Sequence, residues 1–225
     1  MCGRYGFTSE IADVKTRFDI ERWLDKIYDK EELYNIGPGT RNPVVVRRSP
    51  NSGLLMKWGW TWDVPWMEKP LFIINARKDK LTTSKAYKKP FLFQRCIIPA
   101  NFFYEWKAIG KEKYPYLFKC KDQKLFGFAG LYFTEKDAEG KEAEYYVIIT
   151  TDANEIMQPI HHRMPVILDK EDEDTWLNPD NVEQEQLLPL LKQYSSDKME
   201  CYPVSQAVNS TRNDNGDLIK PIDSK

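Results

Sequence analysis

The feature that most constrains the fold is a succession of short apolar runs, rich in β-branched and aromatic residues and each bounded by Gly, Pro, Asn or Asp. Runs of this length and composition are typical of β-strands. They lie at 43–46, 54–58, 71–74, 96–99, 116–119, 126–133, 145–150, 165–168 and 200–204. Because no steady strand–helix alternation accompanies them, the pattern favours a mostly antiparallel sheet over a parallel α/β fold.

Helical spacing of apolar residues is confined to a few short segments. It predicts helices over 11–18, after the Thr8/Ser9 cap region, over 82–86 and over 182–194, and it permits a further helix over 20–27. Pro189 predicts a break in the last segment, because proline removes a backbone N–H donor. No Gly- or Ser-rich linker, internal repeat or low-complexity tract divides the chain. We therefore expect an α+β protein in which residues 1–225 form a single domain.

Composition disfavours several classes of protein. The best apolar runs have strand length, well short of the roughly 18 residues that a membrane helix needs. The N-terminal segment lacks the apolar core of a signal peptide, which predicts a cytoplasmic protein with no membrane association. Four single cysteines and two adjacent histidines supply no metal-ligand spacing, so no metal or other cofactor is expected. Cys96, Cys120 and Cys201 are interpreted as small core residues.

The net charge of −1 conceals an asymmetry along the chain. Residues 1–100 carry 18 Lys and Arg against 11 Asp and Glu, or +7, and residues 101–225 carry 15 against 23, or −8. The whole-chain balance therefore does not exclude a nucleic-acid partner, since phosphate binding depends on a local patch. Charges spread over solvated faces would give the same totals, so charge alone leaves both interpretations open.

Four tryptophans, Trp58, Trp60, Trp62 and Trp66, fall within nine residues. Their spacing favours core packing for Trp58 and Trp60, on one face of a strand. Trp62 and Trp66 are predicted to lie in the Pro-containing loop that follows. An exposed aromatic ring in such a loop could contact a ligand or a nucleobase.

Cys2 carries the most informative chemistry. A methionine followed by a small residue is normally removed, and loss of Met1 would make Cys2 the amino terminus. The α-amine and the thiol, with ordinary pKa values of about 8 and about 8.5, would both be partly available near neutral pH. Together they capture an aldehyde as a Schiff base, which the thiol closes into a thiazolidine. Position alone does not distinguish this chemistry from a cysteine that has no function.

Four separated segments form a recognisable set. They are Cys2-Gly3-Arg4-Tyr5, Asn75-Ala76-Arg77, Phe103-Tyr104-Glu105-Trp106 and His161-His162-Arg163-Met164-Pro165. In this order they closely resemble the SOS response-associated peptidase (SRAP) family, whose members sense abasic sites in DNA. Supporting stretches at 34–38, 58–59, 95–100, 128–131 and 203–205 are similar to the same family. The resemblance runs from residue 2 to about residue 210.

The resemblance implies a fold and an activity. The fold is a strongly curved, barrel-like, mostly antiparallel sheet with peripheral short helices, with a core of about 2–210 and a C-terminal tail at 211–225. The implied activity is removal of Met1, by the protein itself, followed by covalent capture of a ring-opened abasic site through a thiazolidine at Cys2. The implied partner is single-stranded DNA with an abasic site, including single-/double-strand junctions. A monomer is expected, at the nucleoid if the source is bacterial.

The resemblance also implies roles for individual residues. Asn75 would position the terminal amine or the opened sugar. Glu105 would act as general acid and base during ring opening and imine formation, which requires a partly buried carboxyl group. His161 would exchange protons with the sugar hydroxyl and the imine. A turn at Asn75, a solvent-facing edge-strand position for Glu105 and a loop-capping role for His161 are the alternatives.

Three arginines, Arg4, Arg77 and Arg163, each lie within two residues of a proposed catalytic group. Guanidinium groups bind phosphate in a bidentate manner, so these arginines are predicted to hold the DNA backbone around the lesion. Trp66 and Trp106 are the candidates for stacking on flanking bases. A protein that recognises a missing base cannot read that base, so backbone contacts and stacking must supply the affinity.

Two other functions fit part of the pattern. An N-terminal-nucleophile cysteine peptidase or amidohydrolase would use Cys2 and its own amine on amide substrates. A non-covalent reader of modified DNA would use the arginines and tryptophans and tolerate loss of Cys2. The arginines and tryptophans favour abasic-site capture over the peptidase, and Cys2 favours it over the reader.

Overall fold

A computed structural model gives the structure of the protein, and it describes residues 2–24, 32–48, 51–64, 67–136 and 139–223. The strands in these ranges are β1 (Arg4–Phe7), β2 (Arg22–Trp23), β3 (Leu33–Ile36), β4 (Arg41–Arg47), β5 (Asn51–Trp58), β6 (Trp60–Trp62), β7 (Leu71–Ile73), β8 (Asn75–Arg77), β9 (Arg95–Ala100), β10 (Phe102–Ile109), β11 (Glu112–Cys120), β12 (Phe126–Lys136), β13 (Glu142–Asp152), β14 (Arg163–Pro165) and β15 (Met199–Pro203). The helices are α1 (Ile11–Arg17), α2 (Lys88–Phe93), α3 (Glu173–Leu177) and α4 (Gln184–Leu187). Short 3-10 turns lie at Lys78–Lys80, Lys170–Asp172, Leu188–Leu190, Ser196–Lys198, Gln206–Asn209 and Gly216–Ile219.

Five strands close into a barrel. β13 pairs with β12, β12 with β9, β9 with β4 and β4 with β5, all antiparallel, and a parallel pairing of β5 with β13 closes the ring. Closure pairs the backbone groups that an open sheet would leave at its edges. These strands supply a large part of the main apolar core, including Val44, Met56, Ile98, Phe128 and Ile148. The predicted single domain with a barrel-like, mostly antiparallel sheet and short peripheral helices is confirmed.

A second sheet, in the order β15–β11–β10–β1–β3, packs on the barrel. One of its faces meets the main core, where the rings of Tyr5 and Phe103 both lie 5.9 Å from Phe128. The other face carries a smaller apolar cluster around Tyr104, which includes Val208 and Leu218. Because side chains alternate along a strand, successive residues of β10 face the barrel and the small cluster in turn.

Two of the predicted helices are confirmed. The first appears as α1 at Ile11–Arg17. The segment over 182–194 is broken as expected, into α4 and a 3-10 turn at Leu188–Leu190 that contains Pro189.

The helix predicted over 82–86 is wrong, because residues 81–87 form turns and the helix, α2, begins only at Lys88. The helix over 20–27 is also wrong for its described part. There Arg22–Trp23 pairs with Ser52 and Gly53 of β5, and the Trp23 ring occupies the space beside Gly53 that a side chain would fill. Residues 25–27 lie outside the described ranges.

The segment that the resemblance implied to be a tail is packed against the second sheet. Leu218 is 2% exposed, and the Asp214 carboxylate accepts from the backbone N–H groups of Tyr34 and Asn35. Among the residues described, the segment that follows residue 210 is therefore packed as part of the domain. Over these same ranges, none of the helices has the length and apolar character needed to cross a membrane.

Candidate functional site

β1 and β10 bring the start of the chain beside Glu105. Their antiparallel register pairs Arg4 with Tyr104 and Tyr5 with Phe103, so residues before Arg4 run back along the end of β10 that contains Glu105. Phe103 faces the barrel, and Glu105, two positions further on, lies on the same side. Cys2 belongs to the same core cluster. The pairing of two strands distant in sequence thus assembles a thiol and a carboxyl group at the seam between the sheet and the barrel.

Cys2 is fully buried, with its thiol donating to the carbonyl oxygen of Arg4 at 3.8 Å. Burial raises the pKa of the thiol far above its ordinary value, and the negative charge of Glu105 raises it further. The thiol is therefore protonated at neutral pH. Such a group does not act as a nucleophile until a nearby base takes its proton.

Glu105 is only 3% exposed and lies on a central strand, between β1 and β11. The alternative of a solvent-facing residue on an edge strand is therefore wrong. Its charge acts on both Cys2 and His161. A buried carboxyl group coupled to two other titratable groups is a typical setting for proton transfer.

His161 precedes β14 and is half-buried. Its Nδ1 accepts the backbone N–H of Arg163 at 3.0 Å and lies 3.1 Å from the carbonyl oxygen of the same residue. In the neutral ring this leaves the proton on Nε2; on protonation Nδ1 can donate to the carbonyl instead. Burial lowers the pKa of His161, while Glu105 opposes that shift. The ring is stacked on exposed His162, with the ring centres 4.5 Å apart.

Asn75 lies on β8, which pairs in parallel with β13 and sets Asn75 opposite Ile148. The alternative of a turn at this position is therefore wrong. Its amide donates to the Ile148 carbonyl at 3.4 Å, and among the residues described its buried Oδ1 has no hydrogen-bond partner. An orphaned buried acceptor is unusual in a folded protein and marks a place where a ligand donor can bind.

A groove of about 670 Å³ opens directly on Glu105 and His161. Its other lining residues are Trp106, Ala108, Lys113, Gln158, Ile160, His162 and Asn209. The groove gives an extended ligand access to the buried groups. Within the part of the chain that the structure describes, no cluster of three or more His, Cys, Asp or Glu side chains could hold a metal ion.

The three predicted arginines lie in different settings. Arg77 is exposed and makes a bidentate ion pair with Asp79 at 3.0 and 2.9 Å. Arg163 is 6% exposed, donates to Asp152 at 2.5 Å and to the Thr150 carbonyl at 2.7 Å, and lies 3.9 Å from Asp79. The Arg77 contact lowers the pKa of Asp79.

Arg4, by contrast, forms no ion pair within the described residues and is held by an amide oxygen and backbone carbonyls. It donates to Asn35 Oδ1 at 2.7 Å and to the backbone carbonyls of Val208 and Asn209 at 2.9 and 3.2 Å. This geometry favours a positioning role, in which Arg4 fastens the 206–209 turn to β1, over direct phosphate binding.

Trp106 is half-buried on the groove wall, and its indole N–H donates to Asn209 Oδ1 at 2.7 Å. Trp58 and Trp60 are core residues, as predicted. Trp62 lies on β6 and stacks on Trp60, so its assignment to a loop is wrong. β5 ends before Gly59, whose φ of 101° departs from strand geometry. The Phe72 ring leaves no room for a side chain at this glycine. Trp66 lies outside the described residues.

Several residues of the site were missed from the sequence. Asn209, Gln158, Lys113 and Asp152 reach the site from loops or strand ends, without a motif of their own. His162 alone carried a signal, because it adjoins His161. Of the cysteines, Cys96 and Cys120 are buried core residues and Cys201 is half-buried.

The fold and the site together define a class: a closed β-barrel with a flanking sheet, in which a carboxyl group acts on a buried cysteine at position 2 and lines a groove together with an imidazole. The sequence matches the SOS response associated peptidase (SRAP) family over residues 1–211, and the chain belongs to this family.

The chain is 40% identical to the abasic site processing protein YoqW of Bacillus subtilis, over 98% of this chain and 99% of that protein. It is 39% identical to YoaM, an abasic site processing protein of the same organism, over 97% of both chains. A crystal structure of a Bacteroides thetaiotaomicron protein superposes with a TM-score of 0.85 at 26% identity, over 98% of this chain and 100% of that one.

Proposed function

We propose that this protein captures abasic sites in single-stranded DNA as a covalent thiazolidine at Cys2, after removal of Met1. The observation that carries the proposal is that Glu105, whose charge acts on the buried Cys2 thiol, lines one groove together with His161. The relatives named as abasic site processing proteins support the substrate class. The expected location, the cytoplasm and the nucleoid if the source is bacterial, follows from that substrate.

The reaction begins with the sugar. An abasic deoxyribose is mostly a closed ring. Glu105 in its acid form donates a proton to the ring oxygen while the C1′ hydroxyl gives its proton to His161, and the ring opens to the aldehyde. The free α-amine of Cys2 then attacks C1′, and the resulting carbinolamine loses water to give an imine. Asn75, with its orphaned acceptor, holds the amine or the opened sugar through a hydrogen bond.

The thiol completes the ring. Its sulfur adds to the imine carbon while the Glu105 carboxylate takes the thiol proton and the imine nitrogen gains one. The net change is aldehyde plus aminothiol to thiazolidine plus one water. A raised thiol pKa suits this order, because the thiol stays protonated until the imine has formed. His161 steadies the sugar hydroxyl and returns protons when the imine or the ring reverts.

The same raised pKa weighs against the peptidase alternative. A cysteine amidohydrolase needs its thiolate at the first step, and such thiols lie in surroundings that lower their pKa. Here burial and a neighbouring carboxylate act in the opposite direction. Self-removal of Met1 by the thiol would require Glu105 as its base, so under that route Glu105→Gln retains Met1, which an intact-mass measurement detects.

Two arginines serve the contact with the DNA backbone, one directly and one through acidic neighbours. Arg77, exposed and paired with Asp79, exchanges that carboxylate for a DNA phosphate, and Arg163 supports it from beneath through Asp152 and Asp79. Trp106 stacks on a neighbouring base, and Trp66 is the second stacking candidate. Binding before the covalent step is expected to weaken with salt, because neutralised phosphates release counterions.

The test is adduct formation on an oligonucleotide with one abasic site, followed by denaturing electrophoresis. Wild type is expected to give a stable adduct, whereas Cys2→Ser, which keeps the amine, gives only a labile imine or strand cleavage. Cys201→Ser is the matched control and keeps the adduct, because Cys201 lies away from the groove. DNA whose aldehyde has been reduced with borohydride should not react. A full yield of stable adduct from Cys2→Ser contradicts the thiazolidine.

A further inference from the structure

His161 lies on the loop that connects β13 to β14, residues 153–162, and this loop also forms one wall of the groove. The loop residues that line the groove are Gln158, Ile160, His161 and His162. Glu105, by contrast, is fixed on the central strand β10. The placement of the loop therefore sets where the imidazole lies relative to the carboxyl group.

The backbone hydrogen bonds around His161 stay within the loop. Its N–H donates to the Met157 carbonyl at 2.9 Å. At the neck of the loop, the Ala153 N–H donates to the His162 carbonyl at 3.1 Å. These bonds give the loop its shape, but they join its residues to one another. Something else must fix the loop to the rest of the domain.

Asn154 makes this connection. The residue is 6% exposed, and its Oδ1 accepts the Met157 N–H at 3.1 Å, so it caps the turn whose carbonyl holds the His161 backbone. Its Nδ2 donates to the Tyr194 carbonyl at 2.6 Å and to Met199 Sδ at 3.2 Å. One buried side chain thus joins the turn before His161 to residues 40 and 45 positions further along the chain.

The segment that receives these bonds, residues 193–199, is called the anchor segment below, and it is itself held in place. Tyr194 is 3% exposed, and its hydroxyl donates to the Asp122 carboxylate at 2.8 Å. Gln193 adds a second tie to the loop, because its amide donates to the Ala153 carbonyl at 3.0 Å. None of residues 193–199, all of which the structure describes, lines the groove. The anchor segment therefore holds the loop from outside the groove.

Hydrogen bonds suit this role better than apolar packing does. Apolar contacts are non-directional. Hydrogen bonds weaken steeply as their angles depart from the preferred geometry, so they fix an orientation as well as a distance. Met157, which is fully buried in the main core, supplies the apolar contact of the turn. Asn154 supplies the direction.

We propose that Asn154 is a positioning residue for His161: it ties the loop to the anchor segment and so sets the place of the imidazole in the groove. Gln193 is a second, weaker tie from an exposed side chain. The inference rests on the proposed function, because it takes His161 as a proton carrier. Proton transfer requires a hydrogen-bond distance between the carrier and the reacting group, so a small displacement of the ring has a large effect on rate.

The first test follows the imidazole directly and needs no DNA. An NMR titration of the full chain gives the pKa of His161 from its ring protons, which the spectrum of His161→Ala assigns because the chain has two histidines. Burial lowers this pKa in the wild type. Asn154→Ala should move the pKa toward the ordinary histidine value, because the ring is no longer held in its half-buried place.

Asn101→Ala is the matched control. Like Asn154, Asn101 makes three side-chain hydrogen bonds: it accepts the Thr8 N–H and donates to Ser9 Oγ and the Lys124 carbonyl. It lies outside the groove. Its loss should destabilise the fold to a similar degree and leave the pKa of His161 unchanged. A shift that Asn101→Ala reproduces would come from general loosening of the fold and would overturn the proposal.

The second test is a double-mutant cycle on release of the adduct. Adducts on an oligonucleotide with one abasic site are mixed with excess competitor DNA, and the rate of release is measured. Asn154→Ala should slow release by roughly 10- to 100-fold, because a misplacement of about 1 Å can change a rate this much. In the His161→Ala background the same substitution should change release by less than about twofold. Asn101→Ala should leave the rate of release unchanged.

The outcomes separate this inference from the covalent function. Equal effects of Asn154→Ala in the two backgrounds would mean that Asn154 acts without His161, which overturns the proposal. An unchanged pKa of His161 in folded Asn154→Ala protein overturns it as well. If wild type forms no adduct while Asn154→Ala shifts the pKa of His161, the covalent function is wrong and the positioning role stands.

Gln193→Ala keeps the proposal testable if Asn154→Ala does not fold. Because Gln193 is exposed, its truncation removes one tie to the loop and leaves the core intact. The pKa of His161 and the rate of release should both change in the directions expected for Asn154→Ala, by smaller amounts. No change in either quantity overturns the proposal.

Discussion

The barrel core and the seam that holds the candidate site are both buried, yet burial has different consequences in the two regions. In the barrel, Phe128, Val147 and Ile148 are fully buried and carry no polar side-chain atoms. At the seam, Cys2 and Glu105 are buried to nearly the same degree. Removing apolar groups from water stabilises the fold. Removing the Cys2 thiol from water opposes its charged form and raises its pKa.

In this fold, the barrel core accounts for stability, whereas the seam holds the groups of the proposed chemistry. The closed ring of strands contributes a continuous apolar core, so the seam can hold polar groups whose burial is unfavourable. The two regions touch through Tyr5 and Phe103, whose rings pack on Phe128. Substitutions on either side of this contact should therefore change stability or chemistry, and rarely both.

The largest expected effect is on chemistry. Glu105→Gln cannot donate a proton to the sugar ring oxygen, so adduct formation should slow by roughly 10²–10⁴-fold, as is usual on loss of a general acid. The free energy of unfolding should stay the same or rise slightly, because a buried carboxyl group is replaced by an amide. Single-turnover time courses and urea denaturation measure the two quantities. An unchanged rate of formation would mean that the reactive site lies elsewhere.

The barrel should behave in the opposite way. Phe128→Ala removes a fully buried ring that contacts Tyr5 and Phe103, which should lower the free energy of unfolding by about 3–5 kcal/mol. The maximal rate of adduct formation by the protein that remains folded should change little. Thermal and urea denaturation test the first statement. A rate loss as large as that of Glu105→Gln, in fully folded protein, would show that the core and the site are not separable.

The two arginines near Asp79 offer the same contrast at smaller scale. Arg77→Ala should weaken binding to single-stranded DNA and reduce the slope of log K against log salt by about 0.7, without loss of stability. Arg163→Ala should instead destabilise the fold by about 1–3 kcal/mol, because the buried Thr150 carbonyl loses its donor. Salt-dependent anisotropy and urea denaturation distinguish the two. Equal stability losses would contradict the assignment of Arg77 to the surface.

The smallest effect concerns the coupling of His161 to Glu105. The pKa of His161 should lie below its ordinary value, and Glu105→Gln should lower it further because the opposing negative charge is gone. Since the folded state binds this proton less tightly, its contribution to stability is present above the ordinary histidine pKa and is lost as pH falls below it. An NMR titration of the His161 ring protons measures both shifts. An upward shift in the Glu105→Gln variant would rule out the coupling.

Substitution of His161 distinguishes its role in proton transfer from that of Glu105. His161→Ala should slow reversal of the adduct at least as much as its formation, whereas Glu105→Gln acts chiefly on formation. The measurement is a pair of time courses, first of formation and then of release into excess competitor DNA. Equal effects of both substitutions on both phases would show that the two roles are divided wrongly.

Much of the barrel could be predicted from local pattern. The runs that became β4, β5, β9, β12 and β13 are β-branched and aromatic, and each alone has the length of a strand. The strands β1, β8 and β10 were harder to predict because they mix polar and apolar residues. Glu105 and Asn75 interrupt the apolar pattern at positions to which the proposed function assigns roles.

The sequence by itself determined the chemistry available to the protein: a cysteine at position 2, four motifs in order and a strand-rich pattern around them. Only the tertiary structure decided which polar side chains are buried and what they contact. Arg4 meets Val208 across 204 positions of sequence, and Trp106 meets Asn209 across 103. Periodicity reports which side of a segment avoids water, but it carries no information on which distant segment covers that side. The pairing of strands into the two sheets determines which distant segment covers that side.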